Sequence, residues 1–156
     1  MTTIRRATAA DADALTRARA ELLRAAPDTS PDAAWLGRLR EHLRTGLAAG
    51  THMAAFVIDT PGGGTGGELA SCALGTVHQH LPGPRHNGLS GHIHLVATTE
   101  AHRRRGYATA VLTALVDWLH ERGCKVINLN ATSDGDRLYR NLGFAPNTWA
   151  MRLARR

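Results

Sequence analysis

A strand pattern that runs into a basic turn and then into a helix pattern, residues 92–108 (HIHLVATTEAHRRRGYA), constrains this chain more than any other feature. His92, His94 and Val96 alternate with Ile93, Leu95 and Ala97, the two-residue period of a strand. Ala108, Val111, Leu112, Leu115, Val116 and Leu119 then recur at helical spacing. Between the two patterns, Arg103-Arg104-Arg105-Gly106-Tyr107-Ala108 fits the spacing R/Q-x-x-G-x-G/A. The first N–H groups of a helix have no partner within it and point outward, which suits an anion. Gly106 lacks a Cβ and Ala108 has little more, so a ligand can approach the backbone closely. The turn is expected to hold a phosphate or pyrophosphate. A Rossmann fingerprint and a P-loop are both missing from the sequence. The plain alternative is a solvated charge cluster at Arg103 to Arg105.

A second motif follows about 30 residues on, a distance counted along the sequence, as Arg137-Leu138-Tyr139-Arg140-Asn141-Leu142-Gly143-Phe144. It comes after the apolar strand candidate Lys125 to Ala131. With both motifs in this order, the chain resembles the GNAT superfamily of acetyl-CoA-dependent N-acetyltransferases, best over residues 91–153. Glu100 and Thr132 stand where members often carry proline and asparagine.

The remaining elements follow from pattern. Thr2 to Thr8 reads as a strand, and Asp11 or Asp13 caps a helix to about Ala26. A break at 27–31 precedes a helix over Asp32 to Ala49, with Trp35, Leu36, Leu39, Leu43 and Leu47 on its apolar side. Strands at Thr51 to Thr60 and Glu68 to His80 flank a glycine-rich, mobile hairpin loop. Leu81 to Ser90 is a loop long enough to border a binding site. A strand at 91–99, a helix at 105–122, a strand at 125–131, a helix at 135–142 and a strand near 147–153 complete the order β-α-α-β-β-β-α-β-α-β. This is an α/β (α+β) fold with a mixed, largely antiparallel central sheet flanked by helices, expected as one domain over residues 1–156.

Composition narrows the function classes. No apolar run approaches the roughly 18–20 residues of a membrane span, and residues 1–15 carry no signal-like apolar core. A cytoplasmic protein is the expectation. Cys72 and Cys124 have no CxxC or zinc spacing and read as buried small hydrophobes. The net charge of +6 comes from 19 Lys plus Arg against 13 Asp plus Glu, and favours an acidic ligand. Nucleic acid is disfavoured, because the arginines are scattered and aromatics make up only 4%.

The resemblance implies where acetyl-CoA sits. Its pantetheine arm would bond the backbone of Val96, Ala97 and Thr98. Its pyrophosphate would meet the amides of Arg104, Arg105, Gly106, Tyr107, Ala108 and Thr109, with the side chains of Arg103 to Arg105 as further partners. Acetyl transfer needs a neutral amine, so a base titrating near neutrality is useful, and histidine suits it. His92 and His94 share one side of a strand, and their spacing from Arg103 is similar to the H-x-H of serotonin N-acetyltransferase. Activity is then expected to fall below about pH 6.5. Tyr139 matches the family tyrosine that protonates the leaving sulfur.

Competing readings exist for each. His78 and His80 repeat the H-x-H spacing, so the four histidines also fit a pH-sensitive surface or an adventitious metal site. No third ligand with orienting partners is identifiable, and no metal is expected. Tyr139 also fits a packed core position. The acceptor is expected to be the primary amine of a small molecule, with Trp35 and Trp149 as candidate walls. A protein or peptide N-acetyltransferase is the alternative enzyme, and a non-catalytic acyl-CoA- or RNA-binding module the alternative from another class. The family resemblance allows a homodimer, and no residue pattern marks one.

Overall fold

The computed structural model describes residues 2–24, 34–147 and 151–155. In chain order these form β1 (Arg5–Arg6), α1 (Ala12–Arg24), α2 (Ala34–Ala49), β2 (Met53–Asp59), β3 (Leu69–Gln79), β4 (Leu89–Thr98), α3 (Tyr107–Glu121), β5 (Val126–Leu129) and α4 (Asp136–Asn141). The strands lie in the order β1-β2-β3-β4-β5. All neighbours are antiparallel except β4 and β5, which are parallel and joined through α3. The mixed, largely antiparallel sheet flanked by helices is the expected class.

Helices cover both faces. Leu15 of α1 and Leu43 and Leu47 of α2 pack on Met53, Val57, Leu74 and Leu95. On the opposite face, Val111, Leu112, Leu115 and Leu119 of α3 pack on Ala54, Ile58, Ala73, Val77 and Ile93. Trp118 joins this core, although it was not among the expected apolar positions. Helix α3 lies close over β4 because Gly91 lacks a Cβ, which would stand 2.9 Å from Leu119 Cδ1.

The structure changes four expectations. β1 is two residues long, not seven, and the elements elsewhere trim by one or two residues at their ends, as fraying boundaries do. Leu89 and Ser90, expected in a loop, begin β4, because Ser90 pairs both His78 and Val126. The strand expected near 147–153 is not present at 151–155, and 148–150 lie outside the described residues. The break at 27–31, the end of the first helix near Ala26 and the first residues of the second also lie outside them. The glycine-rich hairpin, expected to be mobile, is tied down: Gly63 N–H donates to Thr60 O, and Gly66 N–H donates to Asp11 Oδ1 at 2.9 Å.

Asp11 sits at the centre of a polar cluster inside this architecture. Arg5 donates two bonds to Asp11 and two to Asp59, all between 2.7 and 2.9 Å. Thr8 N–H donates a further bond to Asp11. The first strand, the first helix and the β2–β3 hairpin are thereby held together.

Candidate active site

Strand β4 does not keep one alternation along its length. Leu95 pairs Leu74 while Ile93 pairs Gly75, so His94 is an extra residue, a β-bulge. Ile93 and Val96 therefore face α3, whereas Leu95 and Ala97 face α1 and α2. The expected grouping of Val96 with His92 and His94 is wrong for this reason. The two histidines do share a side: their ring centroids are 4.5 Å apart.

The bulge also marks where the sheet opens. β5 pairs β4 only from Ser90 to Ile93, and β4 continues to Thr98 with that edge unpaired. Thr99 N–H donates to Ala70 O, so by antiparallel alternation Ala97 turns its backbone toward β3, while Val96 and Thr98 turn theirs toward the open edge. Of the three expected backbone positions, Val96 and Thr98 turn toward the open edge, where Thr98 O accepts a 3.4 Å bond from Arg103 Nε. Ala97 O instead accepts the Ser71 hydroxyl at 3.1 Å.

The open edge leads to the basic turn. A 3-10 turn at Glu100–His102 precedes Arg103. Arg104 (φ 61°) and Gly106 (φ 77°) then take left-handed conformations before α3 begins. The first α3 bond runs from Ala110 N–H to Gly106 O, so the amides of Tyr107, Ala108 and Thr109 precede the helical ladder. A cavity of about 170 Å³ here is lined by Thr98, Arg103, Arg104, Gly106, Tyr107 and Ala108, with His102 and Thr109. Glu100 does not line it. A Cβ on Gly106 would meet no atom within 4 Å, so that side of the turn is open. Left-handed arginine costs on the order of 1–2 kcal/mol, and strain of this kind is characteristic of ligand-gripping turns. The residues present suit a diphosphate.

On the α1/α2 side, a second cavity of about 190 Å³ opens beside the histidines. Its walls are apolar (Leu15, Leu39, Leu43, Met53, Leu74, Leu95), and its polar groups are Arg19, His42, Thr76 and His94. Arg19 Nη1 donates to His94 O at 2.8 Å and fixes the bulge. Burial, then the neighbouring His92, Arg19, His78 and His42, push His94 down to about 4. Burial, His78 and Arg19 also push His92 below its ordinary value. Both shifts favour the neutral rings at pH 7.

Tyr139 lies on α4 and packs with the α3-side core. Its ring meets Phe144 edge-on at 5.9 Å and covers Gly135, where a Cβ would come within 2.7 Å of the ring. Burial raises its phenol above the usual 10, and among the described residues its hydroxyl makes no hydrogen bond. Thr132 O accepts the Gly135 amide. Trp35 is half-buried and lines neither cavity, and Trp149 lies outside the described residues. The loop after β3 also lines neither one; its Asn87 bonds Gly123 O at 2.9 Å. Cys72 and Cys124 are buried, with Cys72 pushed up to about 12 by burial.

Residues 20–144 match the model of the acetyltransferase (GNAT) family. The chain belongs to that family. It is accordingly an acyltransferase. No curated protein matches the sequence. A GCN5-related N-acetyltransferase from Ralstonia eutropha JMP134 superposes with a TM-score of 0.84 at 24% identity, covering 99% of each chain. A predicted acetyltransferase from Clostridium acetobutylicum, crystallised with acetyl-CoA, superposes with a TM-score of 0.83 at 22% identity, over 99% of this chain and 96% of that one. The aminoglycoside N-acetyltransferase AAC(6')-Iy in complex with CoA has the same fold, with a TM-score of 0.73 at 15% identity over 100% and 95% of the two chains. Among the described residues, no helix is long and apolar enough to cross a membrane, and no group of three or more His, Cys, Asp or Glu is placed to hold a metal ion.

Proposed function

We propose that this GNAT chain transfers the acetyl group of acetyl-CoA to a primary amine of a small molecule, by direct attack in a ternary complex. The observation that carries this reading is the continuity of three parts: the unpaired β4 edge at Val96 and Thr98, the left-handed turn at Arg104 to Gly106, and the His92–His94 pair on the adjoining face. The edge supplies strand-like backbone partners for an amide-rich arm. The turn supplies amides and arginines for a diphosphate.

Acetyl-CoA supplies a thioester whose carbonyl carbon is the electrophile. The chain must then remove a proton from the amine and return one to sulfur. His92 and His94 are neutral at pH 7, so each has a ring nitrogen able to accept the amine proton. Tyr139 is protonated across the neutral range and donates to the departing thiolate. The apolar walls around His94 favour an acceptor with an apolar body.

The test is thiol release from acetyl-CoA against a panel of small amines and peptides, with wild type, His92→Ala, His94→Ala and Tyr139→Phe. Turnover on small amines with large kcat losses in the variants is expected. Preference for peptides would overturn the acceptor class. Tight acetyl-CoA binding without turnover on any amine would overturn the enzymatic role.

A further inference from the structure

His94 is not the last group in its hydrogen-bonded chain. Thr76 Oγ1 lies 2.7 Å from His94 Nε2 and 2.7 Å from His78 Nε2. Thr76 and His78 lie two apart on β3, opposite the bulge side of β4, so they share a face with the histidine pair. The row runs outward: His94 lines the acceptor-side cavity, Thr76 is half-buried, and His78 is exposed.

We propose that Thr76 and His78 form a directional proton exit that carries the amine proton from His94 to solvent. The proposal rests on the acceptor reading given above, and Thr76 and His78 are positioning residues in it, acting through His94. The shared hydroxyl limits the order of bonds to two opposite arrangements, and the exit uses the one in which His94 donates. A hydroxyl has one proton, so of its two ring partners one must donate to it and the other must accept from it. Before transfer, His94 carries its proton on Nε2 and donates to Thr76, while Thr76 donates to Nε2 of a His78 protonated at Nδ1. When His94 Nδ1 gains the amine proton, Nε2–H passes to Thr76 Oγ1. The Thr76 proton then passes to His78 Nε2, and His78 releases Nδ1–H to water. One proton enters at His94, one leaves at His78, and the chain ends with both tautomers exchanged.

The surroundings favour movement outward. His94 faces His92 on its own strand, His78 on β3, Arg19 on α1 and His42 on α2, all cationic or able to become so. A proton held at His94 is therefore unstable there, and the exposed His78 is the neighbour in contact with solvent. An exit clears the proton from His94, so that the ring is neutral again for the next amine.

Two measurements decide this. The first is ¹⁵N imidazole NMR of the free protein at pH 7.5, which needs no substrate. His94 is expected as the Nε2–H tautomer and His78 as the Nδ1–H tautomer, with that correlation lost in Thr76→Val and kept in Thr76→Ser, and the reversed pair of tautomers would overturn the proposal. Identical, Thr76-independent tautomers would overturn the proposal. The second is kcat from pH 6 to 9 on the best amine, with acetyl-CoA affinity measured alongside. Thr76→Val and His78→Gln should each lower kcat about 10-fold or more, within the range of lost proton-transfer catalysis. Affinity for acetyl-CoA should be unchanged, Thr76→Ser should recover activity, and added imidazole should partly rescue His78→Gln. Wild-type kcat in both variants would overturn the exit. Absence of turnover in wild type itself would instead defeat the acceptor reading, leaving the tautomer measurement to decide the hydrogen-bonded chain.

Discussion

The Arg5 guanidinium holds the Asp11 carboxylate by two 2.9 Å hydrogen bonds, and Asp11 is completely buried. Burial alone would push this carboxyl up. The bonds from Arg5 and the amides of Gly66 and Thr8 outweigh it and hold Asp11 at about 2. Asp59 completes the set with two 2.7 Å bonds to the same arginine. Asp11→Ala would leave a partly buried cation short of a partner and two amides unsatisfied. A loss of about 3–5 kcal/mol is expected, the usual cost of breaking such a pair, measured by urea denaturation. The sign of the pH dependence follows from the downward shift. Asp11 adds stability above about pH 4, and this is lost as pH falls through about 2.

The histidine pair acts in a higher window. Both rings titrate below the ordinary 6.5, and His94 lies at about 4. Each is depressed in the folded state, so its contribution to stability is complete above 6.5 and falls as pH drops toward the folded value. Activity should follow the same groups. The acid limb of kcat/KM is expected below pH 6.5, and His78→Gln should move it upward by removing a nearby charge. An acid limb at 6.5 that is unmoved in His92→Ala and His94→Ala would remove the pair from proton transfer.

Much of this site could be read from local pattern. The α3 periodicity placed Val111, Leu112, Leu115 and Leu119 correctly, because a helix buries residues at fixed spacing. Gly106 marked the tight basic turn, because a residue without a Cβ lets a ligand approach the backbone; the left-handed conformations of Arg104 and Gly106 were not legible. The bulge at His94 was not legible: no glycine or proline adjoins it on β4, and it arises from how β4 pairs Leu74 and Gly75 on another strand. That single residue reversed the expected facing of Val96. The Arg5–Asp11–Asp59 cluster was invisible for the same reason, since Arg5 and Asp59 are 54 positions apart. Thr76 gave no signal because its role depends on two histidines meeting it from different strands.

The basic turn makes opposite predictions for neighbouring residues. Arg104 sits at φ 61°, where an L side chain is strained, whereas glycine is not. Arg104→Gly is expected to hold or raise stability by up to about 1 kcal/mol. The same change should weaken CoA binding only modestly, because the backbone supplies the main donors. Gly106→Val should do the reverse. Its φ of 77° disfavours a β-branched residue, and its side chain would project into the open space beside the turn. Calorimetric titration with CoA should show a far larger affinity loss for Gly106→Val than for Arg104→Gly. Equal losses would mean the arginine side chain, not the amides, grips the ligand.

Tyr139 allows structure and chemistry to be separated by one atom. Its ring is fixed by Phe144 and by the close cover of Gly135, and the hydroxyl makes no hydrogen bond among the described residues. Tyr139→Phe keeps every ring contact, so the melting temperature should stay within the small range of a conservative swap. The proton for the thiolate is nonetheless removed. On the order of a 10²-fold fall in kcat is expected, typical of a lost general acid, with acetyl-CoA affinity unchanged. Because burial holds the phenol above 10, the basic limb of wild type should lie beyond that value on account of this group. A variant that melts normally and turns over at the wild-type rate would leave Tyr139 a packing residue and require another proton source for the leaving sulfur.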